Sequence, residues 1–425
     1  IRVKVGAVQA QPMLLNMPLN SDRTGKWTEY AEAFGRGTGS KEDPYIIENA
    51  EQLAYMATEA VSAGSAYDTN TRSADKYFKI TAETIDLSAH YWVPISIFAG
   101  NLDGNGCTIT GMYCKEVRNG NRYGLGLFGL VSPEYSTEKY CEIKNLNFSD
   151  CTIQTEAALN SPGSQNAGIL AGAMLYGAGV TNCSVENSSI IISEENNAKQ
   201  TGIGGLVGYF GHNNSRYFER NSSISDCRVS GIVLKNKGGT IGGLIGGGGY
   251  NLEKVENCTV SDAVIETGGV SVYSGAFAGG LIGKVTAKSV GCEIEGCAVT
   301  GESSLKGINP QYSFGMGGLI GYILNDNPAA IQITVNNCTS EANIESVKLG
   351  NSNNAGGYGG LIGQVNGVNR EKTSNIINNC YATGTVKANS RYVGGLVGSM
   401  AGTIIDSYAE GKVENTWYWT GGLVG

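Results

Sequence analysis

The chain has 425 residues, with 30 Lys and Arg against 38 Asp and Glu for a formal charge of −8. That balance excludes the basic footprint of a nucleic-acid binder, and no apolar run reaches the roughly 20 residues that a membrane-spanning helix needs. Glycine reaches 63 residues, about twice its usual share, while proline stops at 8, which excludes collagen and a proline-rich linker.

Residues 1–36 form a lead-in without periodicity, with Trp27 and Phe34 as packing points. Ile1-Arg2-Val3-Lys4 carries no signal-peptide pattern, which leaves export open for a trimmed product. Residues 37–112 read as an N-terminal cap with the first strands. A turn-rich approach leads into Tyr45-Ile46-Ile47, and Asn49 with Gln52 three residues on is a capping pair for a helix over 49–63 that Gly64 is placed to end. Such a helix suits the open first rung of a strand stack, an edge that invites pairing unless covered. Strands are expected at Tyr77–Thr81 and Trp92–Ile97, and Asp103-Gly104-Asn105-Gly106 reads as a turn.

Residues 113–425 are organised by a recurring phrase, Gly-Gly-Leu-(Ile/Val)-Gly. It stands at Gly204–Gly208, Gly242–Gly246, Gly279–Gly283, Gly317–Gly321, Gly359–Gly363, Gly394–Gly398 and Gly421–Gly425, preceded by looser copies at Leu125–Gly129 and Gly168–Gly172. Repetition at roughly 40-residue spacing predicts a solenoid, here an all-β parallel β-helix of about nine coils, one per phrase. Three glycines in five residues weaken a strand, so their return implies close backbone approach in a strip nearly free of side chains. No Lys-Ser/Thr follows the phrase, so it is not a phosphate loop and no cofactor is expected. Between copies lie variable polar loops such as 193–201, 211–221 and 349–355, which mark where length changes are tolerated.

A second phrase follows most copies: an aliphatic residue, any residue, Asn/Asp/Gly, then cysteine. Its cysteines are Cys183, Cys227, Cys258, Cys297, Cys338 and Cys380; Leu146 and Tyr408 fill the place in outer copies. Strict alternation would turn these apolar residues outward. A left-handed corner at the Asn/Asp/Gly restores inward parity. The expected coil therefore has a glycine-phrase strand, a corner, a cysteine strand and a third strand with residues such as Val264 and Val386. The six cysteines then form a structural ladder in the core, with a metal disfavoured because histidine partners are lacking. Cys107, Cys114, Cys141, Cys151 and Cys292 stand outside it, and a disulfide among them is left open.

These phrases, together with Asp43–Ile47, Tyr77–Ile80, Trp92–Ile95 and Phe98–Gly106, resemble the GLUG-motif repeat family of large bacterial exported proteins over roughly residues 37–425. The resemblance implies a secreted or surface-anchored bacterial protein, adhesin-like, or the non-catalytic region of a larger secreted peptidase such as those that cleave IgA. It carries no catalytic residues to transfer.

A polysaccharide lyase or hydrolase on a β-helix needs carboxylates projecting from neighbouring coils. The best pair is Glu256 and Glu295, on adjacent rungs, with Arg228 one rung away, although mixed charge on a solvated face produces such pairs by chance. His90 and His212 sit in no metallopeptidase motif, and there is no Gly-x-Ser-x-Gly elbow. The favoured reading is a non-catalytic surface solenoid, adhesin or stalk, whose partner is an extracellular glycan or protein. Candidate binding residues are Tyr209, Tyr217, Tyr250 and Tyr322, among loop aromatics that include Phe210, Phe218, Tyr273 and Tyr312. Trp417-Tyr418-Trp419 is a core rung or an interface. Because the chain stops on the last residue of a phrase, the natural protein is expected to continue, or its last rung to meet another chain.

Overall fold

The computed structural model describes residues 23–62, 71–115, 124–133, 140–155, 166–192, 202–211, 221–236, 238–250, 252–268, 276–287, 291–308, 314–325, 332–347, 356–367 and 374–425. One coil serves as the type: β1 (Gly202–Gly204), β2 (Val207–Phe210), β3 (Ser222–Ser225), β4 (Arg228–Ser230) and β5 (Val233–Asn236). The same five recur along the chain and pair in parallel, coil on coil, into five sheets. The β1, β2 and β5 sheets each have nine strands, the β4 sheet ten and the β3 sheet eleven. The protein is a parallel β-solenoid. The expected three strands per coil are corrected to five, because the glycine phrase is not one strand.

Each phrase bends in its middle. Gly204 ends β1, Gly205 and Leu206 make the bend, and Val207 opens β2. The two legs fold back on each other with only glycine between them. A methyl group on Gly204 would strike the carbonyl of Val207, and one on Gly208 would lie 2.6 Å from the Ala167 nitrogen in the β1 leg of the preceding coil. The bend reaches across the interior to the β4 sheet. There a methyl on Gly205 would lie 3.0 Å from Val229 Cγ1, on Gly243 2.8 Å from Val260 Cγ1, and on Gly280 2.9 Å from Val299 Cγ1. The strip free of side chains is thus internal, an arch folded into the coil. Its backbone stays satisfied because the bend also bonds coil to coil: Leu206 N–H donates to Leu244 O at 3.0 Å and Leu244 N–H to Leu281 O at 2.9 Å.

The β3–β4–β5 wall is regular and turns at two left-handed corners. Asn145, Asn182, Asp226, Asn257, Gly296, Asn337, Asn379 and Asp406 hold φ between 43° and 61° at the first. Gly111, Asp150, Asn187, Gly231, Asp262 and Gly301 hold φ between 47° and 67° at the second, which the sequence reading missed. These are the residue types that enter this region at least cost. Parity therefore resets twice per coil, and Val180, Val185 and Ile190 of one coil all point inward. The long variable segments occur only where β5 leads into β1 and where β2 leads into β3, on either side of the open ends of the arch.

At the N-terminal end Asn49 Oδ1 accepts from Gln52 N–H at 2.9 Å, and Gln52 Oε1 from Glu48 N–H at 2.8 Å. The single helix expected over 49–63 is two, α1 (Ala50–Tyr55) and α2 (Glu59–Ser62). Thr58 Oγ1 donates to Tyr55 O at 2.7 Å, and the backbone between the helices closes three-residue rather than four-residue bonds. Leu53, Met56 and Val61 join the core of the first strands. In the last coil Ile405, Tyr408, Leu423 and Val424 are exposed.

The arch makes a sharp demand on glycine. Gly280→Ala would drive a methyl into the Gly318 carbonyl, with an expected loss of about 3 kcal/mol or more. Gly179, on the outer wall, has no atom nearer than 3.9 Å to such a methyl. Gly179→Ala is expected to leave stability unchanged or raise it by about 0.5–1 kcal/mol. Chemical denaturation of the two variants checks the contrast; equal losses would contradict the arch.

Candidate functional site

Glu256 and Glu295 are register partners on adjacent β3-sheet rungs. Both are tied into the wall. Glu256 Oε1 accepts from Lys254 Nζ at 2.8 Å, and Glu295 Oε1 accepts from Asn337 Nδ2. The second bond has a structural reason. Corner amides bond along the solenoid, as from Asn182 Nδ2 to Asn145 Oδ1 at 2.8 Å, but Gly296 interrupts the row and the Glu295 carboxylate replaces the missing amide. Arg228 starts a β4 strand between Ser184 and Thr259 and forms no salt bridge with either glutamate among the described residues.

Two of the candidate tyrosines, Tyr209 and Tyr322, fall at the open end of the arch. The residue after each phrase's last glycine forms one row on the β2 sheet: Tyr209, Gly247, Lys284, Tyr322, Gln364 and Ser399. Tyr209 packs with Ile97, Leu130 and Ala173, and its hydroxyl is pushed up by burial and then by Tyr250. Its ring leans over Gly247, where an added methyl would sit 3.1 Å from Tyr209 Cδ2. Tyr322 stacks on Phe277 with centroids 4.2 Å apart and rings 10° from parallel, and Lys284 Nζ lies 5.7 Å from the Tyr322 centroid. Asn366 Nδ2 donates to the Tyr322 hydroxyl at 3.1 Å, and Gln364 Nε2 to Asn366 Oδ1 at 3.1 Å. Phe277, Lys284, Gln364 and Asn366 were missed, although for Lys284 and Gln364 the place just after the phrase was a legible signal. Tyr217, Phe218, Tyr273, Tyr312 and His212 lie outside the described residues. Phe210 is core rather than loop. Tyr418 and Trp419 are 62% and 59% exposed, and Trp419 stacks on Tyr392 at 5.2 Å.

Cys183, Cys227, Cys258, Cys297, Cys338 and Cys380 stand one above another directly after the first corner, all buried. The thiols do two jobs. Every one donates to the carbonyl two residues back, as from Cys338 Sγ to Asn336 O at 3.0 Å, and Cys338 and Cys380 show the second, accepting the N–H one coil earlier from Cys297 and Cys338 at 3.4 Å. The column holds buried backbone groups that the corner leaves unpaired. Two readings are corrected by register. Cys107 belongs to this column, since Thr108 pairs with Asn147 and Asn147 with Ser184. Tyr381 pairs with Tyr408, so Ser407, not Tyr408, takes the cysteine place, and its hydroxyl accepts from Cys380 N at 3.0 Å. Ile405 therefore follows Asn378, and Tyr408 follows Tyr381, on the outward face at either side of this corner. Cys151 and Ser188 play the same part at the second corner, with Cys151 N–H donating to Ser188 Oγ at 3.0 Å. All eleven cysteines are free thiols, which answers the open question of a disulfide. The described residues contain no cluster of three or more His, Cys, Asp or Glu fit to hold a metal.

Residues 389–414 match the model of the GLUG motif. That span holds one turn of the solenoid, from Tyr392–Gly394 through Val413, and the other phrases pair with it rung by rung. The chain carries the GLUG motif in that coil. It is 27% identical to halomucin of Haloquadratum walsbyi over 232 residues, which are 55% of this chain and 2% of halomucin, so it spans a small fraction of that relative. A Bacteroides ovatus crystal structure described as a "putative immunoglobulin A1 protease" superposes with a TM-score of 0.49 at 19% identity, covering 90% of this chain and 87% of that one.

Burial pushes Cys151 and Cys292 up to about 12 and Cys107 up to about 11. Hydrogen bonds between neighbouring column thiols raise Cys258 and Cys338 and lower their partners Cys297 and Cys380. Among the described residues none of the buried ones is Lys, Arg or His. A folded-state value above the ordinary 9.0 means that the unfolded chain loses its thiol protons first. The contribution of Cys107, Cys151 and Cys292 is therefore fully present below pH ~9 and is lost as pH rises towards ~12. Denaturation midpoints measured from pH 7 to 11 should fall above pH ~9, and less steeply in Cys151→Ser; an identical slope in that variant would contradict the assignment.

Proposed function

We propose that this protein is a non-catalytic, secreted or cell-surface solenoid, an adhesin-like or stalk module that presents binding surfaces to an extracellular glycan or protein. The observation that carries the reading is the row just outside the GLUG arch. There the stacked faces of Phe277 and Tyr322 stand with the Lys284 ammonium and the Gln364 and Asn366 amides on strands of the β1 and β2 sheets. Aromatic faces with convergent polar groups suit a ligand that is apolar on one side and hydroxyl-rich on the other. The likeness to halomucin supports an extracellular setting. Under this reading Glu256 and Glu295 are wall residues, and a carbohydrate-active enzyme is the competing account.

A glycan array, run beside an activity assay on acidic polysaccharides, tests it. Binding without turnover is expected, weakened about tenfold (~1.4 kcal/mol) or more by Tyr322→Ala. Turnover that disappears in Glu256→Gln/Glu295→Gln would sink the proposal in favour of the enzyme.

A further inference from the structure

A second surface, on the outer face of the β3 sheet near the N-terminal end, carries a site of its own. Five residues from five successive strands form one outward column: Tyr77, Asn101, Glu142, Gly179 and Ser223. The column floors an open groove of about 540 Å³, walled in part by Asp75 and by Tyr140, which is 59% exposed. Five strands at the usual spacing extend the floor over about 19 Å, long enough for an oligosaccharide rather than a single sugar.

The centre of that floor is a glycine that the fold does not need. The arch glycines are enforced by backbone at van der Waals contact or closer, whereas a methyl on Gly179 would meet nothing nearer than 3.9 Å. Glycine inside a strand weakens it, and where packing does not explain it, it marks close approach of something else. The flanking groups fit one chemistry. Tyr77 and Tyr140 offer ring faces and hydroxyls, Asn101 and Ser223 offer both donor and acceptor capacity, and Glu142 and Asp75 accept. The floor is partly preset: Glu142 N–H donates to Asn101 Oδ1 at 3.1 Å, and Lys144 Nζ holds Glu142 Oε2 at 3.2 Å. Among the described residues no Lys or Arg lines the groove to pair with a uronate or sulfated chain.

We propose that this groove binds a neutral oligosaccharide, one sugar seated over Gly179 with its hydroxyls bonded to Asn101, Glu142 and Ser223. The proposal shares with the preceding reading the idea of a glycan ligand, but it uses a different face of the protein.

Titration calorimetry of the full chain with chitotetraose, cellotetraose and tetragalacturonate tests it, using Gly179→Val, Tyr140→Ala and Tyr322→Ala. Gly179→Val fills the floor with a strand-favouring side chain, and its thermal midpoint should equal or exceed the parent's. Binding of at least one neutral tetramer is expected. It should weaken at least tenfold in Gly179→Val and in Tyr140→Ala and stay unchanged in Tyr322→Ala, with no binding of tetragalacturonate. Neutral-tetramer binding lost only in Tyr322→Ala would overturn the groove and leave the wider reading standing. Binding of neither neutral tetramer, or of tetragalacturonate alone, would overturn the groove outright. Should Gly179→Val fail to fold, the exposed Tyr140→Ala decides alone, and parental affinity there counts against the groove.

Discussion

Backbone lies directly on backbone where the two legs of each glycine arch meet, and the rest of the solenoid is arranged around that contact. Side chains normally keep packed sheets about 10 Å apart. Here Gly204, Gly208 and their equivalents remove the spacer, so both legs and the bend fit inside one coil. The cost is the conformational entropy of glycine. It is offset by ladder bonds that run unbroken through the bend and by aliphatic residues such as Leu244 and Ile245, fully buried beside it. The opposite wall answers in size: the residue facing the bend is Val229, Val260 or Val299 in middle coils and Ser340, Ala382 or Ala409 in later ones.

Corners complete the scheme. A left-handed residue turns the chain without a loop, but it leaves inward-facing backbone groups with no strand partner. A small side chain with one donor and one acceptor function settles both. Cysteine at Cys338 and serine at Ser407 make equivalent bonds, which explains how they interchange in the column. The thiol at these places is a hydrogen-bonding hydrophobe, not a redox centre.

Much of this was legible. Nine phrases foretold a repeating solenoid, and the Asn-Cys step foretold the corner, because alternation alone would have exposed buried residue types. The internal arch was not legible, since glycine leaves no pattern by which to judge facing. The second corner was hidden because Asp150, Asn187, Gly231 and Asp262 share conformation but no neighbouring motif residue. The error at Tyr408 arose because the last repeat is short and its aliphatic pair, Ile404-Ile405, allows two alignments; only pairing of Ile377 with Ile404 resolves it. Of the candidate surfaces, the tyrosines could be named singly, but the groove over Gly179 required five distant strands to be brought side by side.

Native-state hydrogen exchange, read by mass spectrometry on peptides spanning residues 242–246 and 279–283, tests the arch most directly. If the phrases are folded inside the coil, the amides of Leu244, Ile245, Leu281 and Ile282 will exchange only through global unfolding, as slowly as those of the cysteine column. Exchange within seconds, at the rate of solvent-facing strands, would contradict the account.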